Sequence, residues 1–134
     1  MTTVNPFDIL VASDVADERA RQDTKWGEQN HPDGTGPDSR PLRAEAGFNF
    51  LQGNVPAGLL AEAFKAATDR HAKSKTLTFA DILLEEVFEA LAEDDSQKLR
   101  TELVQVAAVA TQWVEAIDRR LMDEVHAERA ERRG

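Results

Sequence analysis

Glu86 and Glu89 stand three residues apart, and after a dozen intervening residues Glu102 and Gln105 repeat the same interval. On an α-helix that spacing puts both members of a pair on one face. If the two segments are helices folded back on each other, four oxygen-bearing side chains converge. Mg²⁺ is the ion such a set suits, with Mn²⁺ as a substitute. It takes hard oxygen ligands in near-octahedral geometry, and it commonly bridges carboxylates to phosphates. Glutamates at helical spacing also make ordinary solvated faces, so the spacing alone leaves both readings open.

The elements that must position these residues are legible from periodicity and punctuation. Apolar Ile9, Leu10, Val11, Val15, Ala16 and Ala20 predict a first helix over residues 8–26, stopped by Gly27. Pro56 suits a first helical turn, and Leu59, Leu60, Ala63, Phe64 and Ala67 predict a second helix over 57–73. Thr78 with Asp81 reads as a capping box, opening a third helix over 79–93. Its apolar stripe is Leu83, Leu84, Val87, Phe88 and Leu91. Asp94, Asp95 and Ser96 break the pattern and supply the next cap. A long fourth helix over 97–129 follows, and its highly charged end is expected to fray. The stripe Leu99, Leu103, Val106, Ala107, Ala110, Trp113, Val114 and Ile117 is expected to face the third helix.

Residues 28–54 are rich in Gly, Pro, Asn and Asp. They predict a long connection, a candidate substrate cover, with a short helix over 42–50 within it. No strand alternation is visible. The expected architecture is a single all-α domain, a bundle of four or five helices.

The 134-residue chain carries a net charge of −9, which disfavours polymeric nucleic acid and anionic membrane. A divalent cation would reconcile that charge with phosphate binding. The absence of cysteine excludes thiolate chemistry and cysteine-ligated zinc. No signal-peptide or membrane-spanning run is present, so a soluble cytoplasmic protein is expected. His31, His71 and His126 have no zinc spacing, and no phosphate-cradling glycine loop or serine nucleophile motif occurs.

The run Glu85-Glu86-x-x-Glu89 followed by Glu102-Leu103-Val104-Gln105 resembles the EExxE and ExxD signature of the MazG-like all-α nucleotide pyrophosphohydrolases. The segment ERARQDTKWGEQNHPDG, starting at Glu18, is similar to the N-terminal stretch of MazG-like proteins of actinobacteria and their phages. The resemblance implies Mg²⁺-dependent cleavage of a nucleoside triphosphate to monophosphate and pyrophosphate, with Glu86, Glu89 and Glu102 as metal ligands. Gln105 stands where the family has Asp, which makes one ligand neutral and leaves room for a nucleotide binder that does not hydrolyse. A helical scaffold without ligand is the third reading.

Within the enzyme reading, Glu85 and Glu89 are the candidates for the base that activates water. Lys25 and Trp26 are the candidates for a phosphate contact and a base-stacking surface, against the alternative that Trp26 packs in the core. Lys65 and Asp69, four residues apart, could bind substrate or form an ordinary surface pair. Val104, Ala108 and Val109 lie off the main stripe of the fourth helix, which predicts a homodimer or homotetramer.

Overall fold

Each helix begins or ends where the local chemistry requires it. In the computed structural model, which describes residue 5 and residues 7–35, 37–38 and 55–133, the helices are α1 (Phe7–Trp26), α2 (Ala57–Lys73), α3 (Phe79–Leu91) and α4 (Ser96–Arg133). No strand occurs among the described residues. The expected helix over 42–50, and most of the candidate cover, lie outside them. Asn5 Oδ1 accepts a hydrogen bond from the Phe7 amide, and Gly27 closes α1 with a left-handed φ of +68°. The capping box at Thr78 is complete: its hydroxyl accepts from the Asp81 amide, and Asp81 accepts from the Thr78 amide. Asp95 Oδ2 accepts from the Lys98 amide at 2.9 Å and starts α4. Caps of this kind contribute ~1 kcal/mol each.

α3 packs against both α2 and α4, and α1 lies along α4. Phe79, the most deeply buried large side chain, stacks on Trp113 with ring centres 5.6 Å apart and meets the edge of His31 at 5.1 Å. Phe64 of α2 stacks on Phe88 of α3 at 4.8 Å. Ala63, Ala67, Ala90, Ala108, Val109 and Ala116 complete the core, and these small residues let the helices approach closely.

The segment after α1 is pinned rather than loose. Pro32 O and Asp33 O accept from the Phe79 and Ala80 amides, two donors that the first turn of α3 cannot satisfy internally. Gly34, at φ +75°, lies so close to Thr78 that a Cβ would sit 2.6 Å from its hydroxyl. The Asp33 carboxylate accepts from Trp113 Nε1 at 2.8 Å and pairs with Arg120, while Arg119 pairs with Glu28 and donates to Gln29 O.

Three expectations about faces need correction. The long stripe of α4 does not turn wholly inward: Leu103 is 52% and Val114 57% exposed, whereas Ala108, Val109, Gln112 and Ala116 are buried. Close packing selects the small-residue face, while Trp113 of the expected stripe still reaches Phe79. In α1, Ile9, Leu10 and Val11 are exposed, and the inward edge is Asp14, Val15, Glu18, Arg19 and Gln22. Buried Arg19 reaches across to Glu115. α4 is helical to Arg133, beyond its expected end at residue 129, and Leu91 of the α3 stripe is exposed. No described helix is long and apolar enough to cross a membrane.

Candidate metal centre

The α3–α4 hairpin brings three carboxylates together. One oxygen from each of Glu86, Glu89 and Glu102 lies within 4.8 Å of the other two, and all three side chains are half-buried. Helical spacing puts Glu86 and Glu89 on one side of α3, and the short turn through Asp95 fixes the register that sets Glu102 opposite them. Among the described residues, no cationic side chain pairs with any of the three.

The electrostatics follow from that crowding. Burial pushes the Glu86 carboxyl up to about 7, and the charges of Glu89, Glu85, Glu102 and Glu18 push the same way. Glu102 is also raised, by burial and then by Glu89 and Glu93. Like charges held together in a partly dry site disfavour ionisation unless a cation or a proton compensates them. All the donors are hard oxygens, which fits Mg²⁺ or Mn²⁺.

Gln105 stands between the two helices. Oriented with its amide nitrogen toward the cluster, it donates to Glu86 Oε2 at 3.2 Å and to Glu102 Oε2 at 3.1 Å. Without a cation the side chain thus serves as a neutral bridge between carboxylates, and it must turn over to offer its oxygen to a metal. An Asp at this position could not make that bridge.

Glu85 faces α2 instead of the three-carboxylate cluster. Burial raises its carboxyl, Glu89 and Asp69 raise it further, and Thr68 and Lys65 oppose the shift. Lys65 and Asp69 therefore belong to the surroundings of Glu85. Lys25 and Trp26 line a different space, a cleft of about 470 Å³ walled by α1 on one side and by Glu86 and Gln105 on the other. Trp26 is 61% exposed, so it is not a core residue, and Lys25 Nζ lies 4.7 Å from the centre of its ring.

Glu18, Arg21 and Gln22 also line this cleft and were not singled out from the sequence. Their spacing from Lys25 marks one face of α1, a signal that was readable. Arg21 Nε is held by Glu18 at 2.8 Å. The Asp33–Trp113 bond carried no sequence signal, because its partners are 80 residues apart. No protein-family model, curated protein or solved structure matches the chain.

Proposed function

We propose that this protein is a Mg²⁺-dependent nucleoside triphosphate pyrophosphohydrolase of the MazG-like kind, releasing nucleoside monophosphate and pyrophosphate. The observation that carries the reading is the meeting of Glu86, Glu89 and Glu102, of which Glu86 also lines the cleft that holds Lys25 and Trp26. Carboxylates alone would repel a triphosphate. Carboxylates beside a lysine and an exposed aromatic ring match the parts of a metal-bound nucleotide.

In this reading Glu86, Glu89 and Glu102 hold the ion, with Gln105 turned to present its oxygen. Bound there, Mg²⁺ supplies neutralisation of the phosphoryl oxygens. Lys25 contacts phosphate as a point charge, and Trp26 offers a ring face to the base. Water attacks the α-phosphorus as the α–β anhydride bond breaks, and pyrophosphate leaves with the electron pair. The attacking water passes its proton to a carboxylate, for which Glu85 and Glu89 are the candidates. Glu89 stands in the cluster itself, whereas Glu85, whose carboxyl is raised by burial, faces α2.

A second reading, a nucleotide binder that does not hydrolyse, is favoured by Gln105. With its nitrogen turned to them, its amide can link Glu86 and Glu102, which lowers the need for a metal. Pyrophosphate release from a panel of ribo- and deoxyribonucleoside triphosphates, with and without Mg²⁺, separates the two. Release that requires Mg²⁺ and is lost in Glu86→Gln supports the enzyme. Nucleotide-dependent stabilisation without release supports the binder, and indifference to both ligands overturns both readings.

A further inference from the structure

α4 is apolar on two opposite sides, and one of them is largely uncovered among the described residues. Ala108, Val109, Gln112 and Ala116 face the core. On the reverse side Leu103, Ala107, Ala110, Val114, Ile117 and Leu121 follow one another at alternating intervals of four and three residues. That alternation is the seam of a coiled coil. Leu103, Val114 and Leu121 are 52%, 57% and 51% exposed, Ala110 is exposed, and Ala107 and Ile117 are half-buried. The seam runs ~27 Å along the helix. The next seam position before it is Arg100, and the next after it is Glu124, both exposed.

We infer that a second copy of this chain docks on this stripe, α4 against α4, antiparallel about a two-fold axis. The charges select the partner and the direction. Antiparallel pairing sets Leu103 against the partner's Leu121, Ala107 against the partner's Ile117, and Ala110 against the partner's Val114. The two-fold axis repeats each contact, giving six apolar layers. In the same register the layer at each end joins Arg100 to the partner's Glu124. Parallel pairing would oppose Arg100 to Arg100 and Glu124 to Glu124, which is repulsive. Arg100 uses one nitrogen on Asp14, and its side chain is still 53% exposed, so further donors remain free. The stripe also lies away from the cleft beside Glu86, so the pairing does not depend on the reading of that site.

The test is sedimentation of the full chain across micromolar concentrations. The natural sequence should sediment as a dimer, and Val114→Glu should yield a monomer with unchanged helical circular dichroism. Arg100→Glu and Glu124→Arg should each weaken the dimer by about tenfold, because symmetry disrupts two pairs at once. The double exchange should restore it, although the lost contact with Asp14 is not recovered. Should Val114→Glu fail to fold, cysteine pairing decides, since the chain has no cysteine of its own. An oxidised mixture of Ala110→Cys and Val114→Cys should give mainly the mixed disulfide. A monomeric natural protein, a dimer indifferent to Val114→Glu, or preferential self-crosslinking of each cysteine variant would overturn the proposal.

Discussion

Two groups of carboxylates in this molecule are built from the same chemistry and treated in opposite ways. At one end, Asp81 accepts from the Thr78 amide and hydroxyl and lies 3.0 Å from His71 Nδ1, outside hydrogen-bond alignment but at ion-pair distance. Asp33 accepts from Trp113 and pairs with Arg120, and these bonds hold its carboxyl below the usual range. Near the α3–α4 turn, Glu86, Glu89 and Glu102 face one another, and the carboxyls of Glu86 and Glu102 are pushed upward. Partnered carboxylates hold the fold together. Crowded ones cost stability until a proton or a cation joins them.

The largest expected effect tests the crowded group. Glu86→Gln should reduce Mg²⁺-dependent pyrophosphate release by ~10³-fold, about 4 kcal/mol of transition-state stabilisation. Without divalent cation the same variant should be slightly more stable than the natural protein. A destabilised variant would place Glu86 with the structural carboxylates and erase the contrast.

Asp81→Ala tests the other group and should act with the opposite sign. It removes a buried cap and the partner of His71, so a loss of ~2–4 kcal/mol is expected in chemical denaturation. A loss below ~1 kcal/mol would mean that the capping box adds little beyond the packing of Phe79.

The pH dependence should follow from Glu86. Its folded carboxyl titrates at about 7, against 4.5 for the ordinary group, so the folded state holds the proton more tightly. The resulting stability is full below the ordinary carboxylate range and is lost as pH rises through about 7. Thermal melts of the metal-free protein should therefore show ~1–3 kcal/mol of decline that is absent in Glu86→Gln. Mg²⁺ should recover most of it above neutrality, where it takes the place of the proton. Parallel pH profiles for the two proteins would refute the assignment.

The smallest effect concerns the cleft. Trp26→Ala should raise KM for a nucleoside triphosphate by ~3–10-fold, worth about 1 kcal/mol of stacking, with stability changed by less than ~0.5 kcal/mol. A large stability loss would return Trp26 to a packing role.

Much of the fold was legible because it rests on local chemistry. The α2 boundaries, the Thr78–Asp81 capping box and the Asp-Asp-Ser turn depend on residues within four positions of one another. The pairing of Glu86 and Glu89 with Glu102 was legible for the same reason, since a hairpin of two helices has few registers once its turn is fixed. The faces of α1 and α4 were not. Periodicity reports that a helix has an apolar side, whereas which side is buried depends on which fits closest to its neighbours.

The sequence by itself therefore determined the helical composition of the described residues, the places where the helices start and the acidic set on α3 and α4. Only the tertiary structure decided that α4 buries Ala108 and Val109 and leaves Leu103 and Val114 outside. It also decided that Glu85 faces α2, that Lys25 and Trp26 share a cleft with Glu86, and that Asp33 meets Trp113. These contacts join residues tens of positions apart, and such distances are set by packing rather than by spacing along the chain.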